Sequence, residues 1–303
     1  MKTRLSHHSE YGKIKSILIK SAAHSFINQS KLNTEWKPLN FLEEPNFEEA
    51  ISEYAAFENI LKQNIDDIYH LPSSEEVTID SMYCRDASIV TDHGIILCNM
   101  GKESRSHEPT QIKKYCLENN IPVLGEIMHP GTIEGGDTAW IDETTLAVGH
   151  TYRTNKEGIR QLKKILEPYE IQVLVADLPH YKGPSDVFHL MSVFSPIDRD
   201  VAVVYSPLMS IAFRNELLDR AFHLVEVADA EFESMACNVL AIGPRKCIIM
   251  DGNPKIKESL IKAGCEVISY SGKNISYLGG GGPTCLTRPL KREMADTGFA
   301  RYL

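Results

Sequence analysis

Cys285 has the sequence setting that most strongly indicates chemistry in this chain. It follows the run GGGGPT, and consecutive glycines let the main chain pack closely or adopt positive φ just before the thiol. A cysteine that only fills a core does not need this setting, and the Gly-Lys-Ser/Thr of a phosphate-binding loop is missing. Most other cysteines lie in apolar runs, and none has metal-site spacing. We therefore expect Cys285 to be a nucleophile.

His189 is the candidate proton-transfer partner that such a nucleophile needs. It lies in DVFHLMSVF, with apolar residues on both sides. A buried imidazole without a hydrogen-bond partner would be unfavourable there. By itself this pattern is more typical of a hydrogen-bonded core histidine, but its position at the entry to a repeated module favours a general acid and base. The alternative, His129, precedes Pro130 and is more typical of a loop.

Four carboxylates occur next to apolar runs: Asp80 and Asp86 in IDSMYCRDAS, and Glu134 and Asp137 in IEGGD. Turn formation accounts for Gly-Gly-Asp but not for the others. Several carboxylates around one site repel one another unless a cation lies between them. The loop spacing of a calcium site and the paired histidines of a zinc site are both missing, so we expect no metal. A planar guanidinium ligand, which pairs with carboxylates two at a time, fits better.

Two arginines follow predicted strand ends, Arg105 in MGKESRSHEP and Arg153 in TYRTN. Each could hold the carboxylate of a substrate through its forked N–H groups. Each could equally be an exposed surface arginine, and the pattern alone leaves both interpretations open.

Composition limits the class of protein and of partner. The 303 residues are 43% hydrophobic and 24% charged, which is typical of a folded chain, and the net charge is −9. That charge disfavours a nucleic-acid partner. The first residues lack the apolar core of a secretory signal and no stretch is long enough to span a bilayer, so we expect a cytoplasmic protein without a membrane partner. A homodimer is compatible with the sequence.

A hairpin, a helix and a strand recur in this order four times. The hairpins begin near residues 88, 138, 192 and 238, so the period is about fifty residues. A fifth copy has to come from both ends of the chain, with KIKSILIK, a helix in 46–64 and DDIYHL from the first part and a strand in SYLGGGGPTCLT from the last. The pattern predicts one domain over 1–303, an α/β ring of five modules.

The segments that enter the modules should meet at the axis of this ring, so a site is expected there. They are 80–86, 134–137, 187–192 and 279–285. The longest stretch without periodicity is 21–46, which is either a lid over that site or a surface segment.

Four motifs carry a family resemblance. MYCRDAS, TIEGGD, FHLMS and GGGGPTCLTRPL, in this order and at these intervals, resemble the guanidino-group modifying enzymes, which include arginine deiminases, dimethylarginine dimethylaminohydrolases and amidinotransferases. The resemblance extends from about Tyr11 to Arg292. It implies the pentein fold, a pseudo-symmetric five-module α/β propeller of repeated ββαβ units, in agreement with the repeats.

The resemblance also implies roles for individual residues. Cys285 would be the nucleophile, His189 the general acid and base, and Glu134 the carboxylate that holds both the guanidinium and the histidine. Arg105 and Arg153 would hold the α-carboxylate of a free amino acid. No metal or organic cofactor would be required.

The subfamily motifs favour dimethylarginine dimethylaminohydrolase. Asp80 and Asp86 look like its two guanidinium-binding aspartates, with Asp137 nearby as a further substrate-binding candidate. Met191 in His-Leu-Met-Ser replaces the aspartate found in deiminases and amidinotransferases, which leaves an apolar contact suited to a methylated nitrogen.

The expected activity is therefore hydrolysis of a linear amidine. A Cys285 thiouronium intermediate would release citrulline and methylamine or dimethylamine from an N-methylated arginine. The alternatives are an arginine deiminase, which releases ammonia from arginine, an amidinotransferase, which passes the amidino group to an amine, and, least favoured, a binding propeller without activity.

Overall fold

The computed structural model describes residues 3–295, and the domain predicted over 1–303 extends beyond them at both ends. The first part of the chain forms three strands and three helices. They are β1 (Thr3–Ser6), β2 (Lys13–Ile19), α1 (Ala22–Phe26), α2 (Gln29–Glu35), α3 (Phe47–Asn64) and β3 (Asp67–His70).

Four modules of the same order follow, each an antiparallel hairpin, a helix and a strand parallel to the second hairpin strand. The first two are β4 (Ser88–Thr91), β5 (Gly94–Leu97), α4 (Glu108–Glu118) and β6 (Val123–Glu126), then β7 (Thr138–Asp142), β8 (Thr145–His150), α5 (Lys156–Leu166) and β9 (Gln172–Asp177). The next two are β10 (Phe194–Asp198), β11 (Val201–Val204), α6 (Ile211–Asp219) and β12 (His223–Glu226), then, after α7 (Asp229–Phe232), β13 (Leu240–Gly243), β14 (Lys246–Met250), α8 (Pro254–Lys262) and β15 (Glu266–Tyr270).

The fifth sheet joins the two ends of the chain. Its order is β1, β16 (Thr287–Ala295), β2 and β3, with β16 antiparallel to β2 and β2 parallel to β3. The described residues thus form five separate sheets, one per module, which confirms the predicted five-module α/β propeller.

Two details of the fifth module differ from the prediction. The strand expected in 276–287 begins only at Thr287, at the end of that segment. Ser276 and Tyr277 end a short π-helical stretch, and 278–286 form turns and irregular structure, because four glycines provide no side chains to pack on a sheet and Pro283 has no N–H for a strand partner. The additional edge strand β1 was not predicted.

Local sequence explains why these elements form. Strands β4, β8 and β11 are almost continuous runs of buried residues, as expected of strands covered on both faces. Five of the eight α-helices described, α1, α2, α3, α5 and α6, begin at a side-chain cap, such as Asn46 before α3 and Asn155 before α5, whose oxygen accepts a main-chain N–H group. None of the helices in residues 3–295 is both long and apolar enough to cross a membrane.

The segment 21–46 is not an irregular loop throughout, since it contains α1 and α2. Beyond α2, Leu39 and Phe41 are buried in the core beneath α3. The main-chain N–H of Leu42 donates to Leu278 O at 2.9 Å, which joins the segment to the turn before Cys285. The segment therefore borders the region where the module entries meet, and its movement as a lid stays a prediction.

Candidate active site

One cavity of about 170 Å³ lies where the module entries meet. Asp80, Asp86, His189 and Cys285 all line it, so three of the four predicted entry segments reach it directly. The fourth, 134–137, lies behind these residues and is fully buried. The structure thus brings the predicted nucleophile, histidine and guanidinium-binding aspartates to one cavity.

Cys285 is presented by the glycine-rich turn that precedes β16. A Cβ atom at Gly279 would lie 2.0 Å from Tyr83 Oη, and one at Gly282 would lie 2.5 Å from Asn238 Oδ1. Both positions therefore require glycine, because these are distances that real Cβ atoms do not reach. The run GGGG lets the chain pass between Tyr83 and Asn238 and hold the thiol at the cavity wall.

Asn238 contacts the thiol and was not predicted as a site residue. Its Nδ2 donates to Cys285 Sγ at 3.3 Å, while its Oδ1 accepts from the N–H and the hydroxyl of Thr284 at 3.0 and 2.8 Å. These two bonds orient the amide so that its N–H faces the sulfur. The position of Asn238 at the entry to the last complete module is the signal that could have identified it.

The surroundings of Cys285 favour the neutral thiol. Burial raises the pKa of Cys285 and the nearby Asp86 carboxylate raises it further, while hydrogen bonds from Asn238 and Thr284 act in the opposite direction. A cation placed against Asp86 would remove part of the anionic repulsion and favour the thiolate.

His189 is held as a cation by the carboxylates around it. Its Nε2 lies 2.8 Å from Glu134 Oε2, and its Nδ1 lies 3.9 Å from Asp86 Oδ1. Burial alone would lower the pKa of His189, but Asp137, Asp86 and Glu134 outweigh that effect and raise it to about 9. The imidazole is therefore protonated at neutral pH and has a proton to give.

Glu134 is the carboxylate beneath His189. Burial would raise the pKa of Glu134, but the hydrogen bond and charge of His189, followed by the charge of Arg153, hold it below its ordinary value. Its second oxygen accepts the main-chain N–H of Lys102 at 2.9 Å. Glu134 thus remains ionised and fixes the orientation of the histidine ring.

Asp137 lies behind the cavity and does not line it. It accepts the main-chain N–H of Leu190 at 2.9 Å and the hydroxyl of Thr151 at 2.7 Å. Burial raises the pKa of Asp137 to about 6, opposed by His189 and these hydrogen bonds. The contact with Leu190 anchors the chain next to His189, so the geometry indicates a positioning residue rather than a contact to substrate.

Both cavity aspartates are paired with cations of the protein. Lys102 Nζ donates to Asp80 Oδ2 at 2.6 Å and to Leu39 O at 2.9 Å, and Arg105 Nη1 donates to Asp86 Oδ2 at 2.6 Å. Lys102 was not predicted, and its sequence MGKESR gives no signal beyond its closeness to Arg105.

The two predicted arginines differ in how firmly they are held. Besides Asp86, Arg105 donates to both oxygens of Glu108 at 2.8 Å and to Tyr83 O at 3.0 Å, which occupies most of its N–H groups. Arg153 has only longer contacts, 3.4 Å to Glu134 Oε1 and 3.4 Å to Asp186 O. Both line the cavity, and Arg153 is the one with N–H groups free for a ligand.

Asp86, Glu134 and His189 offer ligand atoms within 4.8 Å of one another, the spacing of a metal site. A protonated imidazole has no lone pair for a metal, and the raised pKa of His189 keeps it protonated. The donor set fits a hydrogen-bonded acid better than a metal centre.

Comparison with known proteins identifies the family of this chain. The sequence model of a family described as "N,N dimethylarginine dimethylhydrolase, eukaryotic" matches residues 22–292. The chain belongs to this family. The resemblance to guanidino-group modifying enzymes expected from the four motifs is confirmed.

Curated relatives of this dimethylarginine dimethylhydrolase family member include proteins of two named activities. It is 28% identical over 241 residues to N(G),N(G)-dimethylarginine dimethylaminohydrolase of Pseudomonas aeruginosa, covering 79% of this chain and 88% of the relative. It is 25% identical to arginine deiminase of Mycoplasma capricolum subsp. capricolum, covering 88% and 76%. An uncharacterized protein of Bacillus subtilis is 27% identical over 94% of both chains.

Solved structures share the fold of this family member. A mutant of the Pseudomonas aeruginosa enzyme complexed with citrulline superposes with a TM-score of 0.74 at 24% identity, covering 92% of this chain and 99% of that one. The N-terminal domain of ArgZ, an arginine dihydrolase from cyanobacteria bound to substrate, superposes with a TM-score of 0.76 at 19% identity, covering 90% and 97%. At these identities the likeness shows the fold alone.

Proposed function

We propose that this chain hydrolyses a free N-methylated arginine to citrulline and methylamine or dimethylamine. Its family membership places it among hydrolases of guanidino carbon–nitrogen bonds, of the dimethylarginine dimethylaminohydrolase or arginine deiminase kind. The methylated substrate and the residue roles that follow are our proposal.

The choice of a methylated substrate rests on how many carboxylate oxygens of the site already accept hydrogen bonds from the protein. Asp80, Asp86 and Glu134 have six oxygens, and five already accept from groups of the protein: Asp80 Oδ2 from Lys102, Asp86 Oδ1 from Gly136 N, Asp86 Oδ2 from Arg105, Glu134 Oε1 from Lys102 N and Glu134 Oε2 from His189. Only Asp80 Oδ1 has no partner among the described residues. Each engaged oxygen can still accept a second hydrogen bond, but its capacity is reduced, and asymmetric dimethylarginine has fewer N–H donors to satisfy than arginine, so these partly engaged acceptors suit the methylated cation.

Met191 supports the same choice. Its side chain is buried and lines the cavity together with His189 and Cys285. A thioether gives a methylated nitrogen an apolar contact without offering a strong acceptor to an unsubstituted one.

The outer part of the cavity supports an amino acid substrate. Arg153 has N–H groups free for an α-carboxylate, whereas Arg105 is occupied by Asp86, Glu108 and Tyr83 O. In this proposal Arg153 binds the α-carboxylate of the substrate, and Arg105 holds Asp86 in position.

In the first chemical step the substrate cation lies against Asp80 and Asp86, the Cys285 thiol gives up its proton to solvent, and the resulting thiolate attacks the guanidinium carbon. The C–S bond forms, the bond from carbon to the methylated nitrogen breaks, and His189 gives its proton to the departing amine. Glu134 stabilises the protonated ring until that transfer. The product is a covalent thiouronium on Cys285.

In the second step His189, now neutral, removes a proton from water as the water oxygen adds to the thiouronium carbon. The C–S bond then breaks as the adduct loses its hydroxyl proton to form the carbonyl of citrulline, and this proton passes to the departing sulfur, which returns as the thiol. Citrulline is released, His189 is protonated again and the original charge state is restored.

An arginine deiminase is the second candidate, supported by the similarity to the Mycoplasma capricolum enzyme over most of both chains. The experiment that separates the two is product analysis with arginine, N-monomethylarginine and asymmetric dimethylarginine, supplied separately. Citrulline with dimethylamine from asymmetric dimethylarginine, and little product from arginine, supports the proposal. Citrulline and ammonia from arginine alone would replace it by the deiminase, and absence of citrulline from all three substrates would refute both.

Lys102 should influence substrate preference, because it occupies one oxygen of Asp80. We expect Lys102→Met to raise kcat/KM for arginine relative to asymmetric dimethylarginine by about tenfold, since it frees an acceptor for an additional N–H. Lys182→Met is the matched control, because Lys182 lines the same cavity but pairs with Glu233. If Lys102→Met leaves the ratio of kcat/KM for arginine to that for asymmetric dimethylarginine unchanged, the number of free carboxylate acceptors does not set substrate preference.

Cys285 should react with cationic reagents under conditions where neutral ones fail. Because burial and Asp86 raise its pKa, we expect chloroacetamidine to alkylate it near pH 7 and neutral chloroacetamide to need a distinctly higher pH. The alkylation rates are measured by mass spectrometry. Each is divided by the rate of the same reagent with free cysteine, which corrects for the intrinsic reactivity of the reagent. Equal corrected rates at pH 7 would contradict cation-assisted formation of the thiolate.

A further inference from the structure

Three buried arginines line a second, small cavity away from the candidate active site. They are Arg85, Arg288 and Arg292, and each is less than 5% exposed. The cavity lies among β4, β7 and β16, and none of the residues that line it also lines the active-site cavity. The mechanism proposed above uses none of these guanidinium groups.

Their N–H groups are only partly bonded within the protein. Arg85 Nη2 donates to Glu10 Oε1 at 2.9 Å, Arg292 Nη1 donates to Gly12 O at 2.6 Å and Ala241 O at 2.8 Å, and Arg288 Nη2 donates to Arg85 O. Among the described residues, no acceptor is found for Arg85 Nε, Arg85 Nη1, Arg288 Nε, Arg292 Nε and Arg292 Nη2. Five buried nitrogens without partners are unfavourable, because each has lost its water without gaining an acceptor.

The charge of the cluster is also unbalanced. Glu10 is the only carboxylate among the described residues that line the cavity, so three guanidinium groups face one anion. Burial lowers the pKa of Arg288 and of Arg292 to about 10, and both remain charged at neutral pH. A water molecule could accept hydrogen bonds here, but it would not offset the positive charge.

The size of the cavity limits what can bind. The cavity volume is about 10 Å³, close to what one water-sized species needs and small for a carboxylate or phosphate ligand. We propose that Arg85, Arg288 and Arg292 form a binding site for a single monoatomic anion, chloride under ordinary conditions. The anion accepts hydrogen bonds from the unpartnered guanidinium nitrogens and reduces their mutual repulsion.

Two of these arginines connect the anion site to the segments that carry the catalytic groups. The main-chain N–H of Arg85 donates to Cys285 O at 3.3 Å, and Arg288 donates to the carbonyl of Arg85. Arg85 directly precedes Asp86 in the chain. An anion that restricts the movement of Arg85 and Arg288 therefore also restricts the main-chain segments that carry Asp86 and Cys285.

The test compares thermal unfolding of the full chain in sodium chloride and in sodium gluconate at equal ionic strength. We expect chloride to raise Tm in a saturable way, by about 3 °C or more, because it binds the folded chain only. Arg292→Met should abolish this difference, while Arg160→Met, which removes an exposed arginine paired with Glu157, should leave it unchanged. Equal Tm values in chloride and gluconate would overturn the proposal, as would an undiminished difference in Arg292→Met.

A second measurement does not depend on the variant folding. In crystals of the unaltered chain soaked in sodium bromide, anomalous scattering should show one peak between the three guanidinium groups. Absence of that peak would overturn the proposal. Neither measurement uses catalysis, so the anion site and the proposed function can fail independently.

Discussion

Replacement of Cys285 by serine should leave the protein folded and reduce kcat at least about a thousandfold. A serine hydroxyl ionises far less readily than a thiol, and the burial and Asp86 charge that raise the pKa of Cys285 would hinder its ionisation further. The hydrogen bond from Asn238 Nδ2 can be made to a hydroxyl as well as to a thiol, so the turn before β16 should keep its shape. The measurement is citrulline formation at saturating substrate, together with the dissociation constant of the substrate by calorimetry.

The dissociation constant separates loss of the nucleophile from loss of the fold. Binding within a fewfold of the unaltered protein is expected, because Asp80, Asp86 and Arg153 remain in place. The matched control is Cys237→Ser, since Cys237 is also a buried cysteine that lines the cavity, and its thiol donates to the main-chain oxygen of Val203 and does not contact Asn238. A Cys285→Ser variant with more than a tenth of the original kcat would exclude Cys285 as the nucleophile.

Glu134→Gln should lower kcat by about a hundredfold or more and move the alkaline limit of activity to lower pH. The carboxylate accepts from His189 Nε2 at 2.8 Å, and it is one of three anions that raise the pKa of His189 to about 9. An uncharged amide removes one of these anions, and its NH₂ group can face the ring only if the ring loses its proton. The proton donor for the departing amine is then depleted at neutral pH.

The sign of the pH dependence follows from the raised pKa. In the unaltered protein His189 is protonated below about pH 9, so activity should fall as pH rises through that value. In Glu134→Gln the same fall should occur at least about one pH unit lower. Profiles of kcat against pH test this, with Glu231→Gln as control because Glu231 is also buried but binds the N–H groups of Lys255 and Ile256. An alkaline limb at the same pH in Glu134→Gln would refute the assignment of that limb to a Glu134–His189 pair.

The repeated order of elements made the five sheets predictable from the sequence. Their hairpins have distinct turns and apolar strands, and the entry segments bring Asp80, His189 and Cys285 to one cavity as expected. The fifth module was predicted less well, because β16 follows a glycine-rich turn and its place in the sheet depends on pairing with β2.

The partners of the predicted residues could not be inferred in the same way. Lys102 meets Asp80 because the segment between β5 and α4 folds back onto the entry segment of its own module, and Asn238 meets Cys285 because two modules pack side by side. A lysine or an asparagine in a polar segment has no local pattern that distinguishes such a contact from exposure to solvent. Asp137 was expected near the site as a candidate for binding substrate, but the sequence did not reveal that its carboxylate accepts the main-chain N–H of Leu190.

The closing of the ring by β16 has a consequence for synthesis on the ribosome. Strand β2 is made early, but its antiparallel partner emerges only after all the other modules, so one edge of β2 stays unpaired while they form. Cys285 is separated from β16 only by Leu286 and enters the site in the same event. A nascent chain that stops short of this point would carry His189 and the aspartates proposed to bind substrate without the proposed nucleophile, so premature products should be inactive and prone to association through that open edge.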